Sequence, residues 1–199
     1  PYLRKKFTLD APDVKKATLY ISGLGCGEYY LNGQRIGDAY IDPPQTNYER
    51  EVLYRCFDVT SMLKTQNALT ALLGEGFYAQ SRVWSVEGFR YGPVCLIARL
   101  EILFADGTQQ TVVTDESWKY KYSPITSNNL YAGETYDGRL ETPDFSDADG
   151  SDAGWCACEA DTVPKGALKG CHMPPVRIIR KVPTVSIRNM SGVNDGAWL

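Results

Sequence analysis

Two stretches of this chain combine aromatic rings with polar and charged side chains at close spacing. The first is Gly76-Phe77-Tyr78-Ala79-Gln80-Ser81-Arg82-Val83-Trp84-Ser85, and the second is Glu134-Thr135-Tyr136-Asp137-Gly138-Arg139-Leu140-Glu141. Rings that stack on an apolar face, beside carboxylates, amides and guanidinium groups that bond hydroxyls, are the chemistry of polyol and sugar contact. Phe77, Tyr78, Trp84, Tyr136, Asp137 and Arg139 are therefore the candidate contact residues. Strand alternation would put Glu134, Tyr136 and Gly138 on one face and Asp137, Arg139 and Glu141 nearer the other. A salt-bridged edge strand reads equally well there.

Catalytic chemistry is poorly represented. The single histidine, His172, lies in a loop between prolines, and no Gly-x-Ser-x-Gly elbow accompanies it, which sets serine hydrolysis aside. Glycoside hydrolysis needs only two carboxylates, and among 24 acidic residues a pair arises by chance, so spacing decides nothing for it. Cys156-Ala157-Cys158 with Cys171-His172 imitates a metal site, but one intervening residue is shorter than the spacing of structural zinc knuckles. Cys26, Cys56 and Cys95 sit in or beside apolar runs, where cysteine behaves as a small buried hydrophobe. A Cys158 to Cys171 or a Cys156 to Cys171 bridge stays open for an oxidising compartment.

The elements that would position these groups are strands. Tyr29-Tyr30-Leu31-Asn32-Gly33-Gln34-Arg35-Ile36 carries Asn-Gly between apolar runs, the strongest short-range hairpin signal. Further strands are expected over 3–9, 16–22, 28–31, 51–57, 67–73, 94–104, 109–114 and 119–122, a spacing typical of sandwiches. Helix is confined to short turns, one at Asp58–Leu63 capped by Asp58 or Thr60 and one at Gly150–Cys156. After Pro143 a run of Asp, Ser, Ala and Gly reads as a surface connection, with Trp155 as its anchor into the core. Residues 164–175 read as loop, and Val176–Arg180 as a strand. The 199 residues can bury a sizeable core, and the net charge of −3 disfavours a nucleic-acid partner. No apolar run approaches bilayer length, so no membrane partner is expected.

Several further segments, in order, carry a resemblance: Asp42-Pro43-Pro44, Thr46-Asn47-Tyr48, Leu72-Leu73-Gly74-Glu75-Gly76-Phe77-Tyr78, Tyr91-Gly92-Pro93, Val113-Thr114-Asp115-Glu116-Ser117-Trp118 and Tyr131-Ala132-Gly133-Glu134-Thr135-Tyr136-Asp137-Gly138-Arg139. Together with the hairpin they resemble the N-terminal β-sandwich domain of bacterial α-L-rhamnosidases. The resemblance implies an all-β fold, a β-sandwich of jelly-roll or galactose-binding-like type, over residues 1–163. Residues 164–199 would then lead into a following β domain, and the catalytic residues would belong to a helical barrel elsewhere in the polypeptide. The start at Pro1, without initiator Met or signal region, and the apolar end Ala197-Trp198-Leu199 fit a piece of a longer chain.

The implied role is that of a non-catalytic accessory module, whose partners are a rhamnose-containing glycan and the other domains of its own polypeptide. Its alternative is a purely structural module that packs on the barrel and shapes its entrance. A periplasmic or extracellular location is expected over a cytoplasmic one. Some modules of this family hold rhamnose through calcium, which asks for hard oxygen ligands. Asp42 and Asn47 are the candidates by position, although turn chemistry beside proline accounts for both.

Overall fold

A computed structural model describes residues 1–83, 86–87, 90–160 and 164–186. Trp84 and the whole C-terminal stretch 187–199 lie outside the described residues. The strands, in chain order, are β1 (Tyr2–Thr8), β2 (Val14–Leu24), β3 (Cys26–Leu31), β4 (Gln34–Ile36), β5 (Glu51–Asp58), β6 (Gln66–Gly74), β7 (Arg82–Val83), β8 (Val86–Glu87), β9 (Cys95–Phe104), β10 (Gln109–Val113), β11 (Lys119–Lys121), β12 (Ile125–Asn129), β13 (Gly133–Tyr136), β14 (Cys156–Ala157) and β15 (Ala167–Gly170). The eight strands expected between residues 3 and 122 are all present, with ends shifted by no more than two residues. Among the described residues the only helical elements are single turns, at Thr60–Met62 and Gly138–Leu140.

Two sheets carry the domain. One has the order β14-β11-β1-β6-β3-β4, the other β10-β9-β2-β5-β15. Alternation decides which faces meet: Ala17, Leu19 and Ile21 of β2 and Ala98, Leu100, Ile102 and Phe104 of β9 point inward, while Arg99 and Glu101 point out. Leu69, Ala71 and Leu73 of β6 and Tyr29 and Leu31 of β3 meet them from the other sheet in one continuous core, so the fold is a β-sandwich. The Asn-Gly turn behaves as its sequence demands. Asn32 and Gly33 both have positive φ (54° and 82°), the geometry of a type I′ turn joining β3 to β4. The Asn32 side chain then does more than turn: it donates to the Met62 carbonyl and the Asn67 side chain, and it accepts from the Ala68 N–H.

The outer face of the six-stranded sheet is not left to solvent. In β1 the core-facing residues are Leu3 and Phe7, so Tyr2, Arg4 and Lys6 face away, where Tyr2 and Arg4 are nonetheless buried. The Asp-rich segment after Pro143 folds over them. Phe145 stacks on Tyr2 at 4.3 Å and meets Tyr30 edge-on at 5.1 Å. The Arg4 guanidinium donates to the Ser151 carbonyl (2.6 Å) and to Asp152 (2.7 Å), and lies 3.9 Å from the centre of the Trp155 ring. Trp155 thus anchors the segment on the outer face of the sheet, through Arg4, and not in the core between the sheets.

Four expectations need correction. Cys56 is exposed, because it sits on the outward register of β5, opposite Tyr20 of β2. Residues 150–156 form no helical turn; their backbone is shaped by Arg4 and by the pairing of Cys156–Ala157 with β11. The C-terminal strand is not at 176–180 but at Ala167–Gly170, which runs parallel to Glu51–Tyr54 and bonds to its free edge. Val176 contributes only one bridge, to Tyr40. The regular alternation expected across 134–141 stops at Tyr136, where the Gly138–Leu140 turn begins.

Candidate glycan-contact surfaces

The loop after β6 is built as core. Tyr78 is fully buried, its ring 5.1 Å from Tyr48 and stacked at 5.9 Å on Tyr91, with Leu24, Val52 and Ala79 around them. A ring in that position offers no face to a dissolved sugar, so as a contact residue Tyr78 is corrected. Phe77 is half-buried beside it. Burial, reinforced by the neighbouring Tyr91, pushes the Tyr48 hydroxyl up to about 12. The aromatic-polar composition that suggests a ligand loop here reflects a tyrosine cluster that closes one end of the sandwich.

Tyr136, Asp137 and Arg139 do lie together near the surface, at the end of the β12–β13 hairpin. Tyr136 is 54% exposed and donates its hydroxyl proton to Glu141 at 2.6 Å. Asp137 caps the following turn by accepting from the Arg139 N–H and is gripped by the Arg139 guanidinium at 2.6–3.2 Å. Those Arg139 bonds, side chain first, hold the Asp137 carboxyl below the usual range. The pair is satisfied internally, within a turn and not along an edge strand.

Asp42 and Asn47 are each engaged by neighbouring groups. Asp42 is buried, and one carboxylate oxygen takes two hydrogen bonds from the Arg55 guanidinium, at 2.8 and 2.9 Å. A cation already occupies that oxygen. Asn47 is exposed and accepts from the Glu49 N–H within its own turn. No group of three His, Cys, Asp or Glu side chains able to hold a metal occurs among the described residues, the cysteine pair at 156 and 158 included. All six cysteines are unbridged.

A feature that sequence spacing does not disclose is a cleft of about 1010 Å³ where the two sheets part. Leu3 of β1 and Tyr120 of β11 line one side, and Leu24 of β2 and Leu96 of β9 the other. Trp118 forms part of the wall, fixed by its indole N–H donating to the Val113 carbonyl at 2.9 Å. Tyr122, 77% exposed, stands with its ring edge-on to Tyr120 at 5.9 Å, and Asp115 and Glu159 supply carboxylates. Lys119, Tyr120 and Lys121 alternate as any short strand does, and nothing in that pattern signals a cleft. Asp115 is held below the ordinary carboxylate range, chiefly by the Ser117 hydroxyl, with Lys5 adding to it. A general acid for glycoside cleavage needs the opposite shift.

The fold defines a two-layer β-sandwich with an aromatic-walled cleft between its sheets. Comparison with known proteins makes the class specific. The pattern of the α-L-rhamnosidase N-terminal domain matches residues 12–180, and the chain belongs to that family. It is 34% identical over its whole length to an α-L-rhamnosidase of Formosa agariphila, of which it spans 21%. An α-L-rhamnosidase of Streptomyces avermitilis is 36% identical over 91% of the chain, which spans 18% of that protein. The solved structure of the Streptomyces avermitilis α-L-rhamnosidase complexed with L-rhamnose superposes with a TM-score of 0.83, at 37% identity over 90% of this chain and 18% of that one. The α-L-rhamnosidase of Dictyoglumus thermophilum gives 0.82, at 38% identity over 90% and 20%. The chain therefore spans about a fifth of the relatives it matches.

Proposed function

We propose that this domain is a non-catalytic accessory module of an α-L-rhamnosidase that holds rhamnose-containing glycan in the cleft between its sheets. The observation that carries the reading is the cleft wall: Tyr120 and Tyr122 beside Trp118, with Asp115 and Glu159 in the same lining. Rings for the apolar face of a sugar and carboxylates for its hydroxyls meet in one concavity, which is how ligand sites are generally built. Its benefit would be positional, since a weak contact near a catalytic domain raises the local glycan concentration without any chemistry of its own. Phe77, Trp84, Tyr136, Asp137 and Arg139 would then contribute at most secondary contacts.

Isothermal titration of the chain with L-rhamnose and a rhamnose-containing oligosaccharide tests this, with Tyr122→Ala as the variant. Tyr122 is exposed, so the substitution spares the fold. Millimolar or tighter binding that Tyr122→Ala abolishes is the expected result. Binding that survives the variant would move the site elsewhere, and silence of the unsubstituted chain would refute sugar holding. A chelator arm reads calcium dependence at the same time.

A purely structural module is the second reading, and the exposed Ile178, Ile179, Val182 and Val185 favour it. Apolar side chains collected on one segment suit a surface that another part of the same polypeptide covers.

A further inference from the structure

The β12–β13 hairpin forms a two-stranded sheet that joins neither layer of the sandwich. Asn128 ties it to the body by accepting the Glu75 N–H at 2.7 Å, and the Asp137 N–H closes the hairpin on the Pro124 carbonyl at 2.8 Å. Every residue from Leu130 to Tyr136 is exposed. The exposed set includes Leu130, Tyr131 and Tyr136, and Leu140 follows on the next turn. An isolated two-stranded ribbon is marginally stable in water and presents unpaired strand edges to it. Tyrosine-rich apolar patches of this kind are the composition of an interface centre and not of a solvated loop.

We propose that this hairpin is the surface by which the domain docks on the remaining, larger part of the same α-L-rhamnosidase polypeptide. The occupant follows from proportion. The relatives that match this chain continue for about four-fifths of their length beyond the matched part, so the protein surface available to cover the hairpin is covalently attached. The charged groups do not obstruct burial, because Asp137 is already paired with Arg139 and Tyr136 with Glu141, so they enter the interface as satisfied pairs. Docked there, Asp137, Arg139 and Glu141 become rim residues of the junction. The inference rests on the family assignment and on the accessory reading, but it is independent of whether the cleft holds sugar.

Amide hydrogen exchange tests it, comparing the isolated chain with the longer polypeptide that carries this domain, both without sugar. The expected result is exchange over residues 126–136 slowed roughly tenfold or more in the longer polypeptide, with the core strands β2 and β9 unchanged. A Leu130→Ser, Tyr131→Ser variant should lose that protection while leaving the unfolding midpoint of the isolated chain in place. Equal exchange in both proteins overturns the proposal. Protection that appears in the isolated chain on adding L-rhamnose, or on raising its concentration, also overturns it, the first in favour of a glycan site at the hairpin and the second in favour of self-association. Failure of the rhamnose titration at Tyr122 leaves this comparison untouched, so the two readings fail separately.

Discussion

Replacing Arg4 should detach the segment that covers the outer face of the six-stranded sheet. The residue is 2% exposed, and its short bonds go to the Ser151 carbonyl and to Asp152. The two bonds to the Asp144 and Phe145 carbonyls are long, at 3.4 Å, and add little. A charge-assisted hydrogen bond of this kind contributes about 1.5–3 kcal/mol. The contact with the Trp155 ring contributes about 1 kcal/mol. The ion pair counts for less, about 0–1 kcal/mol, because the Asp152 side chain is 42% exposed and keeps Lys6 and Lys119 as partners. Arg4→Ala should therefore cost about 3–4 kcal/mol, a lowering of the melting temperature by roughly 10 °C for a domain of this size. Urea denaturation followed by tryptophan fluorescence reads both the stability and the freed Trp155. Arg4→Met, which keeps the apolar stem, should recover only part of the loss, and Arg4→Lys should not restore it, since one ammonium cannot span the same acceptors. A loss below about 1 kcal/mol for Arg4→Ala would refute the idea that this guanidinium fastens the segment.

Two further outcomes follow from local geometry. Asp152 is held down to about 2, first by Lys119 and then by Lys6, so its contribution to stability is present above its unfolded value near 3.8 and is lost as pH falls from about 4 towards 2; Asp152→Asn should flatten the stability profile across that window, and an unchanged slope would contradict the assignment. A Cβ on Gly25 would lie 1.6 Å from the Glu75 carbonyl oxygen, so Gly25→Ala should cost more than about 4 kcal/mol or prevent folding, while Gly107→Ala, with open space around it and only its φ of +89° against it, should cost about 1 kcal/mol by thermal melting.

Much of the sandwich is legible in the sequence because its strands alternate cleanly and its best turn is chemically explicit. Asn32-Gly33 prescribes its own backbone, and Ala17, Leu19 and Ile21 declare a buried face by period alone. What composition conceals is long-range. The Arg4 side chain reads as a solvated charge in a basic N-terminus, and only residues some 140 positions later show why it is buried. Ala167–Gly170 has no strand-like composition; it becomes a strand because β5 offers an unpaired edge. The tyrosines misled in the same manner, since Tyr78 and Tyr122 are the same residue type, yet one closes the core and the other projects from it. The cleft depends on where two sheets diverge, which no local pattern encodes.

The parallel strand β15 has a mechanical corollary. Its pairing with Glu51–Tyr54, the Tyr40 to Val176 bridge and the ion pair between Arg177 and Asp38 at 2.6 Å bring the chain back across the domain before residue 178. Three successive fastenings on one flank act as a strain relief, like the clamp where a cable leaves its housing. A pull applied at residues 178–186 loads β15 and the five-stranded sheet in shear before it reaches the core between the sheets.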